Sequence, residues 1–392
     1  MDAPALTDLV PTLTDGVITL RAHSPADVDT LVEQCTDPDT LRWTTVPRGY
    51  TRDDAAGFVR HAAAQWADPS GSRMWAIEWV DDSSGEPTPR YGGTVDLRPG
   101  ESPLTASIGF ALHPAARGTG AMSRAVRLAA AQAFEAGLWG RPLERIHWRA
   151  IVGNWGSRRV AWATGFTFHA TLPGTHVDPT DPKGPALDCW YASLAKGDPM
   201  TPQTPWFTAP VIEEDGLRLR VWRPDDIEAL EERNDPEHWM PAHAVLRPEM
   251  FQRWRHRRLE LMAEGMAVDW CVADADTDRA LGSVAVFSRM GPMTGDAAEL
   301  GYQLFPSARG RGVAKTAARL AIRHALTPKE AGGLGLRRLV AETAADNAAS
   351  NRVLESNGFV AFGREHHVDL LADGTYQDGL HWELLPHGAD RV

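Results

Sequence analysis

The chain has 392 residues, more than one hydrophobic core of ordinary size accommodates, so two domains are expected. Its composition, 43% hydrophobic and 23% charged, is that of a globular protein. The formal net charge of −12 at pH 7 argues against a nucleic-acid-binding protein, which needs a basic surface for phosphate contacts. An acidic surface favours a cationic substrate such as an amine only as a weak bias that salt screens.

The cysteines and the N-terminal residues indicate the cellular compartment in which we expect the protein. Cys35, Cys189 and Cys271 lie far apart without a CxxC spacing, which suits a reducing environment and offers no zinc framework. The opening residues MDAPALTDLV lack the basic region and apolar core of a signal peptide. No stretch approaches the roughly 18 apolar residues of a membrane span. We therefore expect a cytoplasmic protein that holds no metal and contacts neither nucleic acid nor membrane.

The first half of the chain predicts one series of elements. An opening strand, GVITLRAH, precedes a helical pattern that starts at Pro25, a residue suited to the first turn of a helix. Three runs of strand composition follow: MWAIEWV, YGGTVDLR and ASIGFALH. A helix at 119–136, a strand RIHWRAI, a second short helix and a final pair of strands complete the series.

The second half repeats this order. GLRLRVW and a helical pattern from Pro224 open it, followed by AVDWCVAD, ALGSVAVFS and AELGYQLF, a helix at 311–326 and the strand RRLVAET. Strands mostly precede helices, and one helix starts directly after a central strand. This order predicts an α+β fold in which a mixed, twisted sheet is flanked by helices in three layers.

Two motifs show that the chain is an internal duplication. IGFALHPAARGTG from Ile108 matches LGYQLFPSARGRG from Leu300, and NWGSRRVAWATGF from Asn154 matches NAASNRVLESNGF from Asn347. Two copies indicate a duplicated domain rather than a solenoid, which needs more repeats.

The boundary is expected in the Pro- and Thr-rich segment KGDPMTPQTPWFTAPVIEEDG, whose composition favours an extended, semi-rigid connector. This predicts an N-terminal domain at 1–196, a linker at 197–212 and a C-terminal domain at 213–392. The duplication allows the two domains to pair within the chain, as separate subunits would.

The most specific motif lies between the fourth strand of the second copy and the helix after it. Its residues fit R-x-x-G-x-A: Arg309, Gly310, Arg311, Gly312, Val313 and Ala314. Glycines let the backbone come close to a ligand, and a helix N-terminus offers unpaired N–H groups and partial positive charge. With Lys315 nearby, the motif predicts a pyrophosphate site. One such turn is more often only a tight turn, but the first copy repeats it in register at Arg117.

These residues resemble a known family. LGYQLFPSARGRGVAKTAARLAIRHAL followed by NAASNRVLESNGF is similar to the GNAT superfamily of N-acetyltransferases, in particular its RimJ/RimL-like branch. The resemblance covers nearly the whole chain, twice. It implies a tandem acyl-CoA N-acyltransferase fold and acetyl-CoA as the acyl-donor cosubstrate. The implied acceptor is an amine of a small molecule, protein or peptide.

The resemblance also implies which residues bind the cofactor. The loop would bind the pyrophosphate, the fourth strand would bind the pantetheine arm through its backbone, and the downstream Asn would contact the arm. The residues implied in the second copy are Gln303, Leu304, Phe305, Arg309, Gly310, Arg311, Gly312, Val313, Ala314, Lys315 and Asn347. Those implied in the first copy are Arg117, Gly118, Thr119, Gly120 and Asn154.

Acyl transfer needs a neutral amine, and this requirement identifies candidate catalytic residues. Deprotonating an amine of pKa ~10.4 at pH 7 costs about 4–5 kcal/mol, against about 1 kcal/mol for an α-amine of pKa ~8. Glu299 is the candidate base by resemblance, with a solvated glutamate at a strand start as the alternative. Ser350 is the candidate proton donor to the thiolate, although serine also suits a helix N-terminus as a capping residue.

The first copy departs from this pattern at two positions. Ser107 stands where the second copy has Glu299, and Met122 replaces the small residue that ends the loop motif. We therefore expect the C-terminal copy to be the catalyst and the N-terminal copy to be weaker or degenerate. Two alternatives stay open: a degenerate pair that binds acyl-CoA and regulates a partner, or a transferase for another acyl group such as succinyl.

Overall fold

The computed structural model describes residues 9–81, 88–181, 183–232, 235–239, 246–293, 295, 297–371 and 373–386. The chain divides into two compact units, Met1–Gln203 and Thr204–Val392, here called unit 1 and unit 2. Each unit contains one eight-stranded sheet.

The strands of unit 1 are β1 Leu13–Thr14, β2 Ile18–Arg21, β3 Arg73–Asp81, β4 Thr88–Pro99, β5 Thr105–Leu112, β6 Arg145–Ile151, β7 Thr167–His176 and β8 Leu187–Ala195. Its helices are α1 Val28–Thr36, α2 Pro38–Trp43, α3 Arg52–Ala67, α4 Ala121–Glu135 and α5 Trp155–Ala163. Two 3-10 turns stand at Pro25–Asp27 and Pro114–Ala116.

The strands of unit 2 are β9 Ile212–Glu214, β10 Leu217–Arg220, β11 Ala267–Asp274, β12 Ala280–Phe287, β13 Ala297–Leu304, β14 Arg338–Ala344, β15 Val360–Leu370 and β16 Tyr376–Leu384. Its helices are α6 Phe251–Ala263, α7 Val313–Leu326 and α8 Ala348–Ser356. Its 3-10 turns are Pro224–Ala229, Glu237–Trp239, Pro248–Met250, Pro306–Ala308 and Lys329–Ala331.

The two sheets have the same topology. Unit 1 has the order β1-β2-β3-β4-β5-β6-β8-β7, and unit 2 has β9-β10-β11-β12-β13-β14-β16-β15. Neighbouring strands are antiparallel except β5 with β6 and β13 with β14, which are parallel. A mixed sheet flanked by helices, present twice, confirms the predicted α+β fold.

Alanine-rich helices cover each sheet. Helix α4 buries Ala125, Ala129 and Ala133, and the corresponding α7 buries Ala317 and Ala321, each almost completely. Small side chains let a helix lie close to the sheet, so the core of each unit is packed around these helices and the larger residues of the strands.

Paired polar contacts fix the first strands of both units in the same way. Arg21 makes an ion pair with Asp27 at 2.8 Å, and the equivalent Arg220 pairs with Asp226 at 2.7 Å. Trp270 Nε1 donates to Pro210 O at 2.9 Å, which attaches part of the expected connecting segment to unit 2. These contacts hold the start of each sheet against its core.

One predicted helix differs from the structure. The pattern from Pro224 forms a 3-10 turn that ends at Ala229, where Leu230 leaves helical geometry with φ −62° and ψ 137°. Unit 1 instead continues from its 3-10 turn into α1. Asp226, held by the buried Arg220, fixes the first turn in unit 2, and Asp27, held by Arg21, fixes it in unit 1. Tertiary contacts decide whether a helix continues.

Candidate active site

The two central strands of each sheet separate after a short parallel contact. β5 pairs with β6 at residues 105–107, and β13 pairs with β14 at residues 297–299. Further along, within the described part of the chain, no strand pairs with that edge at residues 108–112 or 300–304. The N–H and C=O groups on this edge are therefore placed to hydrogen-bond an extended ligand, since backbone polar groups need partners.

A glycine turn follows the separated strand in each unit. Gly120 and Gly312 immediately precede α4 and α7 in the left-handed conformation, both with φ of 80°. Gly118 and Gly310 also have positive φ, 79° and 71°. A side-chain carbon added at any of these four glycines would meet no described atom within 4 Å. The concave side of the turn is open, and the helix N-terminus behind it can receive an anion.

The first arginine of each loop contacts protein carboxylates. Arg309 donates from both terminal nitrogens to Asp235, at 2.7 and 2.8 Å, and also contacts Leu304 O. Arg117 likewise pairs with Asp37 and Asp39. These arginines hold the loop against the helical region that follows the first long strand. Repeated Asp-Pro pairs at these positions were the sequence signal for this contact.

The other loop residues divide between core and surface. Val313 and the preceding Ala308 are buried in unit 2, whereas Arg311 is exposed and Lys315 is exposed one turn into α7. In unit 1, the Thr119 hydroxyl donates to Ala116 O at 2.8 Å, so it stabilises the turn itself. In unit 2, Arg311 and Lys315 are the loop cations that the Arg309–Asp235 pair leaves available to a phosphate.

The downstream asparagine caps a helix in both units. Asn347 Oδ1 accepts from Ser350 N at 3.0 Å, and Asn154 Oδ1 accepts from Ser157 N at 3.1 Å. The capping residue is therefore the asparagine, while the serine hydroxyl points elsewhere. This cap positions α8 and α5 beside the separated strands.

Tyr302 is a site residue that the sequence did not reveal. Its hydroxyl lies 2.8 Å from Ser350 Oγ and 3.0 Å from Ser350 O, which links β13 to α8. Burial raises the pKa of Tyr302 to about 12, so the phenol stays protonated and can donate. Unit 1 has Phe110 at this position, and Ser157 Oγ accepts from Trp148 Nε1 instead. The signal in the sequence was this difference between two otherwise matched strands.

Glu299 is half-buried at the point where β13 and β14 separate. Burial raises the pKa of the Glu299 carboxyl and nearby Glu342 adds to that, whereas Arg289, 2.6 Å away, opposes it. Arg289 also lies 3.5 Å from Glu342. The structure thus gives Glu299 a cationic partner that sequence reasoning did not identify, because a surface arginine ten residues away carries no motif.

A cavity of about 1050 Å³ extends along the separated strands of unit 1. Gly118, Gly120 and Asn154 line it near the loop. Met122 also lines it while remaining 2% exposed, so its side chain packs into the core without closing the cavity. In unit 2, a cavity of about 10 Å³ borders Gln303. The unit expected to be degenerate therefore has a wide cleft.

Two features are absent from the part of the chain that the structure describes. No helix there combines the length and apolarity needed to cross a membrane. Across the same residues, no group of three or more His, Cys, Asp or Glu side chains is arranged to hold a metal ion.

The family model described as "Acetyltransferase (GNAT) domain" matches residues 18–167 and 216–360. A search of curated proteins gave no match.

Solved structures match one half of the chain at a time. An acetyltransferase of the GNAT family from Bacillus anthracis is 19% identical with a TM-score of 0.38, over 45% of this chain and 98% of that one. A ribosomal-protein alanine acetyltransferase from Vibrio fischeri is 19% identical with a TM-score of 0.37, over 46% and 100%. A microcin self-immunity acetyltransferase in complex with acetyl-CoA and AMP is 17% identical with a TM-score of 0.39, over 46% and 93%.

Proposed function

The chain belongs to the GNAT acetyltransferase family and is an acyl-CoA-dependent N-acyltransferase; on that premise, we propose that it transfers acetyl from acetyl-CoA to a primary amine by direct attack in a ternary complex. We assign the reaction to unit 2, with Glu299 as the base. The observation that carries the proposal is the open turn at Gly312, which starts α7 beside a strand edge that has no partner strand.

The proposed cofactor path follows that edge. The pantetheine arm would bind the backbone at Gln303, Leu304 and Phe305, and the diphosphate would receive N–H groups from the first turn of α7. Arg311 and Lys315 would add charge at the phosphates. Arg309 supports the same loop through Asp235. In this arrangement the thioester points toward Glu299, at the start of the strand.

The proposed chemistry needs three proton transfers. Glu299 removes a proton from the ammonium, directly or through water, and the amine lone pair then attacks the thioester carbon. The C–S bond breaks, and the thiolate takes a proton from Ser350, whose hydroxyl Tyr302 contacts. The nitrogen gives up its second proton as the amide forms, and that proton, passed directly or through water, restores the Ser350 hydroxyl. The raised pKa of Glu299 brings its basicity closer to neutral pH, which strengthens general-base catalysis.

Glu299→Gln tests the base. We expect kcat/KM to fall about 10²- to 10⁴-fold for an amine of pKa ~10.4 and less for an α-amine of pKa ~8. The first amine depends more on a base because its deprotonation at neutral pH costs more free energy. In the wild type, activity should be lost as pH falls through the raised pKa of Glu299, where the carboxylate gains a proton. Thiol release from acetyl-CoA measures both.

Glu330→Gln is the matched control because it removes an exposed carboxylate from the same unit. Its kinetics should equal those of the wild type. Equal rates for Glu299→Gln and the wild type on the high-pKa amine would show that another group is the base. Absence of thiol release with every amine in a broad panel would reject acyl transfer to amines altogether.

Ser350→Ala tests the proposed proton donor. One hydrogen bond to a charged group contributes about 1.5–3 kcal/mol, so kcat should fall about 10- to 100-fold while the affinity for acetyl-CoA is retained. Ser356→Ala on the same helix is the control, since Ser356 Oγ donates to Val353 O within α8. Steady-state kinetics with calorimetric binding separates the two effects. A fall in affinity without a fall in kcat would assign Ser350 to binding.

A further inference from the structure

The two units carry opposite charges at matched strand positions beyond the point of separation. Ser107 pairs with His147 in unit 1 as Glu299 pairs with Val340 in unit 2. The equivalence is fixed by the register of the parallel strands rather than by sequence matching alone. Two residues further along these strands, unit 1 has a positively charged residue where unit 2 has a negatively charged one.

Arg149 of unit 1 corresponds to Glu342 of unit 2. Arg149 lies opposite Tyr191 on β8, and Glu342 lies opposite His381 on β16. Side chains two residues apart on a strand share a face, so Arg149 lies on the face of His147 and Glu342 on that of Val340. A guanidinium in one unit thus occupies the place of a carboxylate in the other.

Basic side chains contribute to the wall of the unit 1 cavity. Arg98, His147, Arg149 and His176 all border it. Asp96 pairs with Arg98 at 2.7 Å and balances that charge. Burial lowers the pKa of His176, and the positive charge of Arg149 adds to that. Within the described residues, no carboxylate lies within ion-pair distance of Arg149.

The matched region of unit 2 is rich in carboxylates. Glu299 and Glu342 both face Arg289, at 2.6 and 3.5 Å. Glu365 contacts His381 Nε2 at 3.1 Å, and His381 is also 3.7 Å from Glu342. Three carboxylates therefore surround one guanidinium and one imidazole. An entering cation would find compensation here, whereas an entering anion would be repelled.

We propose that the unit 1 cleft accepts an α-amine whose own carboxylate binds Arg149, while unit 2 accepts a cationic amine without one. This inference rests on the proposed acyl transfer in unit 2 and adds a second reaction site in unit 1 with its own acceptor class, in place of the expectation that unit 1 is degenerate. Arginine suits a carboxylate because its planar fork gives two parallel hydrogen bonds.

The serine that stands at the position of Glu299 agrees with that acceptor. An α-amine has a pKa of ~8 and is deprotonated at little cost near neutral pH, so it has less need of a residue like Glu299. Ser107 at the matched position leaves space on the strand next to the amine. His147, whose pKa is lowered by burial and by Arg145 and His169, pairs with Ser107 across the strands.

The test compares amino acids with their carboxamides in the full-length protein. The two acceptors differ in the carboxylate while both keep an α-amine. Thiol release should favour the amino acid in the wild type, and Arg149→Gln should lower kcat/KM for it about 10- to 100-fold while changing the carboxamide less than about threefold. Arg141→Gln, an exposed arginine of the same unit, is the control.

The outcomes separate this inference from the proposed function. Suppose that thiol is released with cationic amines but that Arg149→Gln lowers kcat/KM equally for the amino acid and its carboxamide. That result would overturn the assignment of Arg149 to the carboxylate and leave the proposed acyl transfer intact. A preference for 2-aminoethyl phosphate over every amino acid would overturn it in favour of a phosphate. Thiol release with no amine of any charge would reject the proposed function itself.

Discussion

Replacing Gly312 by valine is expected to abolish acetyl-CoA binding to unit 2. Gly312 has φ of 80°, which costs an L-residue about 1–2 kcal/mol, and a branched side chain would project into the open turn that the diphosphate would enter. Isothermal titration calorimetry should therefore show the stoichiometry falling from two to one. Gly120→Val should remove the other binding event, since Gly120 has the same φ of 80°.

The matched control is Gly332→Val. Gly332 has φ of 85° and equally open space around an added side-chain carbon, but it terminates a 3-10 turn outside the loop. It carries the same backbone strain without obstructing the anion site, so binding should be retained. If Gly312→Val still bound two molecules of acetyl-CoA, the placement of the diphosphate at α7 would be contradicted. The same would hold if the wild type bound only one molecule and Gly312→Val still bound it.

Asp226→Ala is expected to destabilise unit 2 by about 3–5 kcal/mol. Arg220 and Asp226 are buried, with side chains 3% and 6% exposed, and the two groups share two hydrogen bonds. Removing one partner of a buried pair leaves the other charge without compensation, which is strongly unfavourable. Asp278 still accepts from Arg220 Nε at 2.9 Å, so the lower end of the range is expected.

Differential scanning calorimetry measures this effect. At about 2–4 °C per kcal/mol for a domain of this size, the melting of unit 2 should move down by roughly 6–12 °C. Glu213→Ala is the control because its exposed pair with Arg218 contributes below about 1 kcal/mol. Asp27→Ala should cause the corresponding loss in unit 1. Equal melting of Asp226→Ala and Glu213→Ala would show that the buried pair contributes little.

The loop before α7 was predictable from the sequence in its backbone but not in its side-chain contacts. The glycines at 310 and 312 predicted a turn with positive φ that starts a helix, and the structure confirms both features because the signal is local. Arg309 was expected to border the phosphates, but its guanidinium is engaged by Asp235, 74 residues earlier. A contact between residues so far apart in sequence cannot be predicted from motif spacing alone.

The loop motif alone does not indicate how the clefts of the two units differ. Ser107 and Met122 suggested a weaker N-terminal copy, and that expectation stays a prediction. The cleft of unit 1 nevertheless reaches about 1050 Å³ with Met122 in its wall. A flexible, unbranched side chain can pack into a core without filling a neighbouring cavity, and sequence does not specify which it does.

The sequence by itself determined the duplication, the order of the main strands, and the two glycine turns. Each of these depends on periodicity or on the conformational freedom of one residue, so each is encoded over a few positions. Only the tertiary structure decided which polar groups meet, Tyr302 with Ser350 and Glu299 with Arg289. It also placed Arg149 in the wall of an open cleft. These encounters depend on how strands separated by many residues align, because electrostatic contacts act through space and not along the chain.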